Sequence, residues 1–247
     1  MQKVVILGAG GLAREVYWVF SDANKVGKKW GVLGFIDENV QNHGKLLCDL
    51  PVLGDFSWFE GRSVGRIRVV SGVGSGKTRM AFAEKVAKSG LAFSSIVHPS
   101  AQMSEYVDIG QGTVITAGNI ITTQVKIGKH VFLNLDSTIG HDAVIGDYCT
   151  IAPGCHISGN VTLGEGVELG TGAVILQGIT VGKWSIVGAG AVVTKDLPEY
   201  VTAVGVPAKV IKVRHPEEAD HLKNGKPSKH WVAQFSQFAN EESKANF

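Results

Sequence analysis

The chain has 247 residues, of which 44% are hydrophobic and 19% charged, and its formal net charge is +2. This composition is typical of a globular protein of one large or two ordinary domains, and so small a charge gives no indication of nucleic-acid binding. The sequence shows neither an apolar run of the ~20 residues that span a bilayer nor a signal peptide, so we expect a cytoplasmic protein without membrane insertion.

The first elements predict a Rossmann-like α/β unit. Residues 3–8 form an apolar run suited to a buried parallel strand, and the following GAGGLAREV (8–16) has small residues that let a backbone approach a phosphate or ribose. Alone, this motif is a weak signal. A second predicted strand, 31–36, ends at Asp37 and Glu38, whose carboxylates are placed to accept hydrogen bonds from a ribose or a base. For Glu38, a solvated turn is an equal alternative.

A glycine-rich loop follows the third predicted strand (66–70) and precedes a predicted helix. The loop, SGVGSGKT (71–78), resembles a P-loop, but it has Ser71 where that motif requires glycine, and no strand ending in a Walker B aspartate follows. The sequence therefore argues against an NTPase. Residues 51–54 predict a turn, and residues 91–97 predict the last strand before the next region.

The middle of the chain, from about residue 107 to residue 194, repeats with a period of six. An aliphatic residue occupies every sixth position fifteen times in succession: Ile109, Ile115, Ile121, Ile127, Leu133, Ile139, Ile145, Ile151, Ile157, Leu163, Leu169, Ile175, Val181, Val187 and Val193. Such hexapeptide repeats predict a parallel β-helix, in which each unit supplies one short strand and a corner, and three units form one coil. Fifteen units therefore predict five coils.

The cysteines give no indication of a metal site or a disulfide framework. Cys149 and Cys155 occupy small-residue positions of the repeat, where a cysteine acts as a compact apolar filler. Neither the three cysteines nor the histidines have metal-ligand spacing. We therefore expect reduced thiols and no metal.

We predict three segments along the chain: a Rossmann-like domain over residues 1–98, a β-helix over residues 99–214 and a polar C-terminal extension over residues 215–247. The aromatic residues of the extension are spaced as in one short amphipathic helix, although we favour a packing or partly disordered appendage.

His141 is the histidine with the best-placed neighbour. It follows an inward isoleucine and a glycine, so its side chain projects at a corner of the β-helix, and Asp142 comes directly after it. A carboxylate beside an imidazole raises its basicity and helps to set its tautomer, as a general base for a weak nucleophile requires. The residues alone leave a solvated corner equally open. His130 and His156 lack an adjacent acid, so surface packing is the default for both.

Six short motifs occur along the chain in a specific order: GAGGLAREV at 8–16, HPSA at 98–101, IGHD at 139–142, IAPGCHISGNV at 151–161, VGAGAVVTKD at 187–196 and GVPAK at 205–209. Each motif is modest by itself, but over residues 3–213 their order resembles the NeuD/PglD-type sugar acetyltransferases. The resemblance implies a left-handed parallel β-helix after the Rossmann-like domain.

The resemblance also implies an activity. It implies acetyl transfer from acetyl-CoA to the amino group of a nucleotide-linked amino-dideoxy sugar, with a UDP- or dTDP-linked 4-amino-4,6-dideoxy sugar for lipopolysaccharide or O-antigen biosynthesis as the first candidate. The implied assembly is a homotrimer whose active sites lie between neighbouring β-helices.

Individual residues take roles from the same resemblance. His141 matches the catalytic base, Asp142 its acidic neighbour, and Gly159 the glycine whose N–H polarises the thioester carbonyl. Positions that match the nucleotide-sugar site are Gly10, Gly11, Leu12, Asp37, Glu38, Gly74 and Asn134. Positions that match the acetyl-CoA site are Thr150, Gly159, Thr171, Ala189, Gly205, Pro207 and Lys209. The spacing of Gly74 and Arg79 also fits this family better than a P-loop.

Two departures from the family pattern accompany these matches. Some members have a histidine where this chain has Leu12, and another, which contacts acetyl-CoA, where it has Thr150. Two other functions stay open. The same scaffold and histidine would serve O-acetylation of sialic acid or a related sugar, and a non-catalytic trimer whose N-terminal domain binds a nucleotide as a regulator is the alternative from another class.

Overall fold

The computed structural model describes residues 1–27, 30–62 and 64–214, so the predicted extension over residues 215–247 lies outside the described residues. Residues Met1–Lys212 group into one compact unit, and the domain boundary predicted after residue 98 stays a prediction. Within the described ranges, no helix is both long enough and apolar enough to cross a membrane.

The N-terminal part is a twisted sheet with helices packed on its two sides. Its strands and helices are β1 (Gln2–Leu7), α1 (Gly11–Lys25), β2 (Trp30–Ile36), β3 (Leu46–Leu47), β4 (Leu50–Gly54), β5 (Ile67–Ser71), α2 (Gly76–Lys88) and β6 (Ala92–Phe93). Among the described residues, the strand order is β3-β4-β2-β1-β5-β6. All pairings are parallel except that of β3 with β4, which is antiparallel.

The central strand β1 is buried on both faces, as its apolar run predicts. Val4 and Ile6 pack in one core with α1, whereas Val5 and Leu7 pack in a second core with α2. On α1 the buried residues are Ala13, Val16, Val19, Phe20 and Ala23, which recur at helical spacing. The two helices therefore cover opposite faces of the sheet.

The repeat region forms three sheets within the described residues, in which the strands of successive coils pair in parallel, and these sheets are the faces of a prism. The first face contains β7 (Ile96–Val97), β10 (Val114–Ile115), β13 (Phe132–Leu133), β16 (Thr150–Ile151), β19 (Glu168–Leu169), β22 (Ile186–Val187), β24 (Val201–Val204) and β25 (Lys209–Val213). The second face contains β8 (Gln102–Met103), β11 (Ile120–Ile121), β14 (Thr138–Ile139), β17 (His156–Ile157), β20 (Val174–Ile175) and β23 (Val192–Val193). The third face contains β9 (Val107–Ile109), β12 (Val125–Ile127), β15 (Val144–Ile145), β18 (Thr162–Leu163) and β21 (Thr180–Val181).

The prism interior is made by the aliphatic residues of the repeat. Successive coils pair with a shift of 18 residues, as in the pairing of Phe132 with Thr150 and of Leu133 with Ile151. Of the fifteen repeated aliphatic residues, Ile109 in the first coils is half-buried and the rest are buried. Cys149 lies among them as a filler, and burial raises the pKa of its thiol to about 12.

Two sequence predictions were wrong in detail. Residues 91–97 are not one strand, because Ala92–Phe93 joins the N-terminal sheet whereas Ile96–Val97 pairs with β10 of the first face. The β-helix thus begins before residue 107, in a coil where Met103 keeps the six-residue phase but breaks the aliphatic pattern. Residues 51–54, predicted as a turn, lie in β4.

The N-terminal part lies on the first face of the prism. The core that contains α1 also includes Ile96, Val114 and Phe132, which point outward from β7, β10 and β13. The first face is therefore partly covered by the same chain, whereas the corner between the second and third faces lies on the opposite side of the prism.

Candidate active site

His141 and Asp142 lie at the corner between the second and third faces. The chain turns between β14 and β15 with Asp142 in the left-handed region (φ 59°), a conformation that aspartate tolerates better than most residues. The His141 Nδ1 atom is 2.7 Å from Asp142 Oδ2, and both side chains are about half exposed. Because the carboxylate accepts, the neutral form of this ring has its proton on Nδ1 and presents a lone pair at Nε2.

Gly159 follows His141 by one coil and lies directly against its ring. A Cβ atom on Gly159 would be only 2.6 Å from His141 Nε2, so the close approach of the imidazole requires glycine at this position. Within the described residues, the Gly159 N–H has no hydrogen-bond acceptor. The corner thus combines a proton acceptor with an available N–H donor, the two groups that acyl transfer uses.

The loop between β1 and α1 leaves open space beside Gly10 and Gly11. A Cβ atom on Gly10 would meet nothing within 4 Å, and one on Gly11 would meet only the end of the Arg14 side chain. Gly10 is the N-cap of α1 and supplies no side-chain hydrogen bond to it. Backbone N–H groups at such a helix start suit a phosphate, so the predicted use of Gly10, Gly11 and Leu12 is sterically feasible.

The Asp37 carboxylate accepts two hydrogen bonds from backbone N–H groups at this edge of the sheet. Its Oδ2 atom accepts from the Ala9 N–H at 3.0 Å, and Oδ1 accepts from the Asn39 N–H at 2.8 Å. The carboxylate therefore fastens the β1–α1 loop to the end of β2. Glu38 makes an exposed ion pair with Lys85 at 2.7 Å. The predicted contacts of Asp37 and Glu38 with a base or ribose stay predictions, and both side chains already have partners in the chain.

Arg79 is a functional candidate that sequence analysis noted only for its spacing from Gly74. It is 1% exposed, and the five N–H groups of its guanidinium lie within hydrogen-bond distance of six acceptors, the carbonyl oxygens of Val73, Gly74, His130, Tyr148 and Cys149 and Thr150 Oγ1. Burial lowers its pKa to about 10, which leaves it protonated at neutral pH. These hydrogen bonds form a junction between the N-terminal part and the first face of the β-helix. An arginine near the start of a helix ordinarily faces solvent, so nothing in the sequence indicated that Arg79 is buried at this junction.

The predicted acetyl-CoA residues lie along a different edge. Thr171 and Ala189 follow β19 and β22 at the corner between the first and second faces, and Asn134 follows β13 at the same corner two coils earlier. Gly205, Pro207 and Lys209 lie between β24 and β25 or at the start of β25, where the Gly205 carbonyl accepts from the Val192 N–H. The Thr150 hydroxyl donates to the Gly74 carbonyl at 2.7 Å.

The predicted site residues thus lie in separate places on one chain. His141, Asp142 and Gly159 share one corner, whereas the β1–α1 loop and the Gly74 loop lie with the N-terminal part on the first face. Among the described residues, no group of three or more histidine, cysteine, aspartate or glutamate side chains is arranged to hold a metal ion.

Comparison with known proteins decides the family. The family model of the PglD N-terminal domain matches residues 3–86, and that of the bacterial transferase hexapeptide (six repeats) matches residues 124–159 and 160–195. A point mutant of perosamine N-acetyltransferase from Caulobacter crescentus, solved with CoA and GDP-perosamine, is 32% identical, with a TM-score of 0.79 over 85% of this chain and 97% of that chain. The chain belongs to the NeuD/PglD-type family of sugar acetyltransferases.

Two further members of the family have a similar structure. The acetyltransferase domain of PglB from Neisseria gonorrhoeae is 30% identical with a TM-score of 0.78, and the match covers 85% of this chain and 100% of that chain. WeeI from Acinetobacter baumannii is 31% identical with a TM-score of 0.78 and the same coverage, 85% and 100%. No curated protein sequence matches the chain. The predicted fold, a Rossmann-like domain followed by a left-handed β-helix, and the predicted class of acyltransferase are confirmed.

Proposed function

We propose that this acetyltransferase moves the acetyl group of acetyl-CoA to the amino group of a nucleotide-linked amino-dideoxy sugar, with a UDP- or dTDP-linked 4-amino-4,6-dideoxy sugar as the first candidate. The observation that supports this most directly is the corner at which His141 Nε2 lies against Gly159. The relatives agree with it, since the C. crescentus enzyme was crystallised with CoA and GDP-perosamine and the N. gonorrhoeae domain with acetyl-CoA.

The chemistry follows from the geometry of this corner. The sugar amine attacks the thioester carbonyl carbon, and His141 Nε2 accepts a proton from the amine nitrogen. The Gly159 N–H donates to the carbonyl oxygen as it becomes negative, and the Asp142 carboxylate stabilises the imidazolium. The tetrahedral intermediate then expels the CoA sulfur, which takes the proton from His141. The products are the N-acetylated sugar and CoA, and the base is regenerated.

The placement of the two substrates follows the family resemblance. The nucleotide sugar lies at Gly10, Gly11, Leu12 and Gly74 of the N-terminal part, with Asn134 near the sugar. The pantetheine arm of acetyl-CoA follows the corner of Thr171 and Ala189, and its adenine end lies near the segment from Gly205 to Lys209.

A homotrimer brings these separate places together in the proposal. In one chain, His141 lies on the side of the prism away from the first face, which the N-terminal part covers. Three apolar side chains near the His141 corner, Ile120, Val144 and Leu176, are 41–44% exposed in the isolated chain. A neighbouring protomer on these faces would cover them and place its nucleotide-sugar site against this His141.

Release of the CoA thiol tests the proposed function. The acceptors are UDP-, dTDP- and GDP-linked sugars with the amino group at C3 or C4, and free sialic acid is the O-acceptor control. Turnover on a nucleotide-linked amino sugar supports the proposal and identifies the substrate. Turnover on sialic acid alone would assign O-acetylation instead, and acetyl-CoA binding without turnover on any acceptor would support a non-catalytic role.

Gly159→Ala should lower kcat by about 10²-fold, because the new Cβ forces the His141 ring out of place and such small displacements have effects of this size. Steady-state kinetics measures the loss, and thermal unfolding checks that the fold persists. Gly65→Ala is the matched control, since a Cβ on Gly65 meets no atom within 4 Å. A Gly159→Ala variant with the kcat of wild type would show that the ring position does not matter.

A further inference from the structure

Gly74 lies where the N-terminal part meets the first face of the β-helix. Its carbonyl oxygen accepts from Arg79 Nη1 at 2.6 Å and from Thr150 Oγ1 at 2.7 Å. On its other side, Leu12 Cδ2 is 3.6 Å from the position that a Cβ on Gly74 would take. The two positions at which this chain lacks a histidine found in other family members, Leu12 and Thr150, therefore border the same residue.

The Thr150 hydroxyl both donates and accepts a hydrogen bond at the junction between the N-terminal part and the first face. It donates its one proton to the Gly74 carbonyl and accepts from Arg79 Nη2 at 2.9 Å. A hydroxyl has a single proton to donate, so Thr150 has none left for a carbonyl or phosphate oxygen of acetyl-CoA. Its predicted contact with that co-substrate therefore competes with a bond that the structure already contains.

The loop that Thr150 holds is glycine-rich and closely fitted to the β-helix. Gly72, Gly74 and Gly76 alternate along residues 72–76, and such a sequence loses much conformational entropy when it is ordered. At its end, a Cβ on Gly76 would lie 2.5 Å from the Tyr148 carbonyl oxygen, so the backbone there touches the coil directly. Hydrogen bonds from Arg79 and Thr150 offset this ordering cost.

We infer that Thr150 is a positioning residue: with Arg79, its hydroxyl holds the loop of residues 72–75 at one place on the β-helix, and that loop in turn positions the nucleotide-linked substrate. The inference rests on the proposed function, because a nucleotide sugar bound beside Gly74 is what gives the loop position a kinetic consequence. It predicts that loss of the hydroxyl weakens binding of the nucleotide sugar and leaves acetyl-CoA binding unchanged.

Kinetics of two variants test this inference. Thr150→Val removes the hydroxyl and keeps the β-branched shape, and Thr150→Ser, which keeps the hydroxyl, is the matched control at the same position. For Thr150→Val, the KM for the nucleotide sugar should rise by about two- to tenfold, the effect of one hydrogen bond, with kcat and the KM for acetyl-CoA unchanged. Thr150→Ser should restore the wild-type KM. A rise in the KM for acetyl-CoA alone would overturn the inference and make Thr150 a co-substrate contact.

Hydrogen exchange of the substrate-free protein gives a test that does not depend on turnover. Backbone N–H groups of residues 72–75 should exchange faster in Thr150→Val than in wild type or Thr150→Ser. Unchanged exchange in Thr150→Val would overturn the positioning role. If wild type turns over no acceptor, the proposed function fails, and the exchange of this loop still decides whether Thr150 holds it.

Discussion

Replacement of His141 by alanine is expected to lower kcat for acetyl transfer by about 10²–10⁴-fold, the range for loss of a general base. Without Nε2, the corner loses its proposed acceptor for the amine proton, whereas the Gly159 N–H and the N-terminal loops keep their positions. The KM values for both substrates should therefore change little. Thiol release under steady-state conditions, with each substrate varied in turn, measures the two parameters separately.

His156→Ala is the matched control for this prediction. His156 is an exposed histidine on the second face, and its Nδ1 atom is 3.0 Å from Thr138 Oγ1, with no carboxylate partner among the described residues. Its removal should leave kcat at the wild-type value. Equal losses in the two variants would indicate a general effect on this surface, and full activity in His141→Ala would remove His141 from the mechanism.

Arg79→Met is expected to lower the free energy of unfolding by about 3–5 kcal/mol, a large effect for one residue. The substitution removes the hydrogen bonds of the guanidinium to its six acceptors and leaves the carbonyl oxygens of His130 and Tyr148 without a donor among the described residues, each at a cost of about 1–3 kcal/mol. Urea denaturation at one fixed protein concentration measures the change, because subunit association would otherwise shift the midpoint.

Two further arginine variants serve as comparisons for the unfolding free energy of Arg79→Met. Arg68→Met changes an exposed arginine on β5 and should alter stability by no more than about 0.5 kcal/mol. Arg79→Lys keeps the charge but has three donors for six acceptors, so its stability should fall between those of wild type and Arg79→Met. A loss below about 1 kcal/mol in Arg79→Met would contradict the view that the guanidinium holds the junction together.

The β-helix and its active corner follow from the sequence for a physical reason. A shift of one residue in a six-residue unit would turn the aliphatic side chains outward, so the period itself locates the inward positions. His141 comes two residues after inward Ile139, and this spacing predicts its place at a corner. The period failed at Met103, where the coil continues with a residue outside the aliphatic set.

The junction and the substrate loops could not be predicted in the same way. Arg79 meets Thr150 across 71 residues, and Asp37 meets Ala9 across 28 residues. Such pairs depend on how the sheet sits on the first face, which no local pattern encodes. Asp37 was predicted as a ligand contact because it ends a strand. In the structure its carboxylate accepts hydrogen bonds from backbone N–H groups of the same chain.

The constant distance between neighbouring coils separates the part of the molecule that fixes the reaction geometry from the part that can vary with the substrate. Gly159 lies one coil beyond His141, so the backbone segments that carry the proposed base and the proposed oxyanion donor are separated by the distance between neighbouring β-strands, about 4.8 Å. Hydrogen bonds between coils maintain that distance all along the prism, and no change in a surface loop alters it. In the proposed mechanism, the repeat therefore fixes the geometry of acetyl transfer, and we expect the choice of sugar and nucleotide to depend on the glycine loops that the N-terminal part brings to the first face.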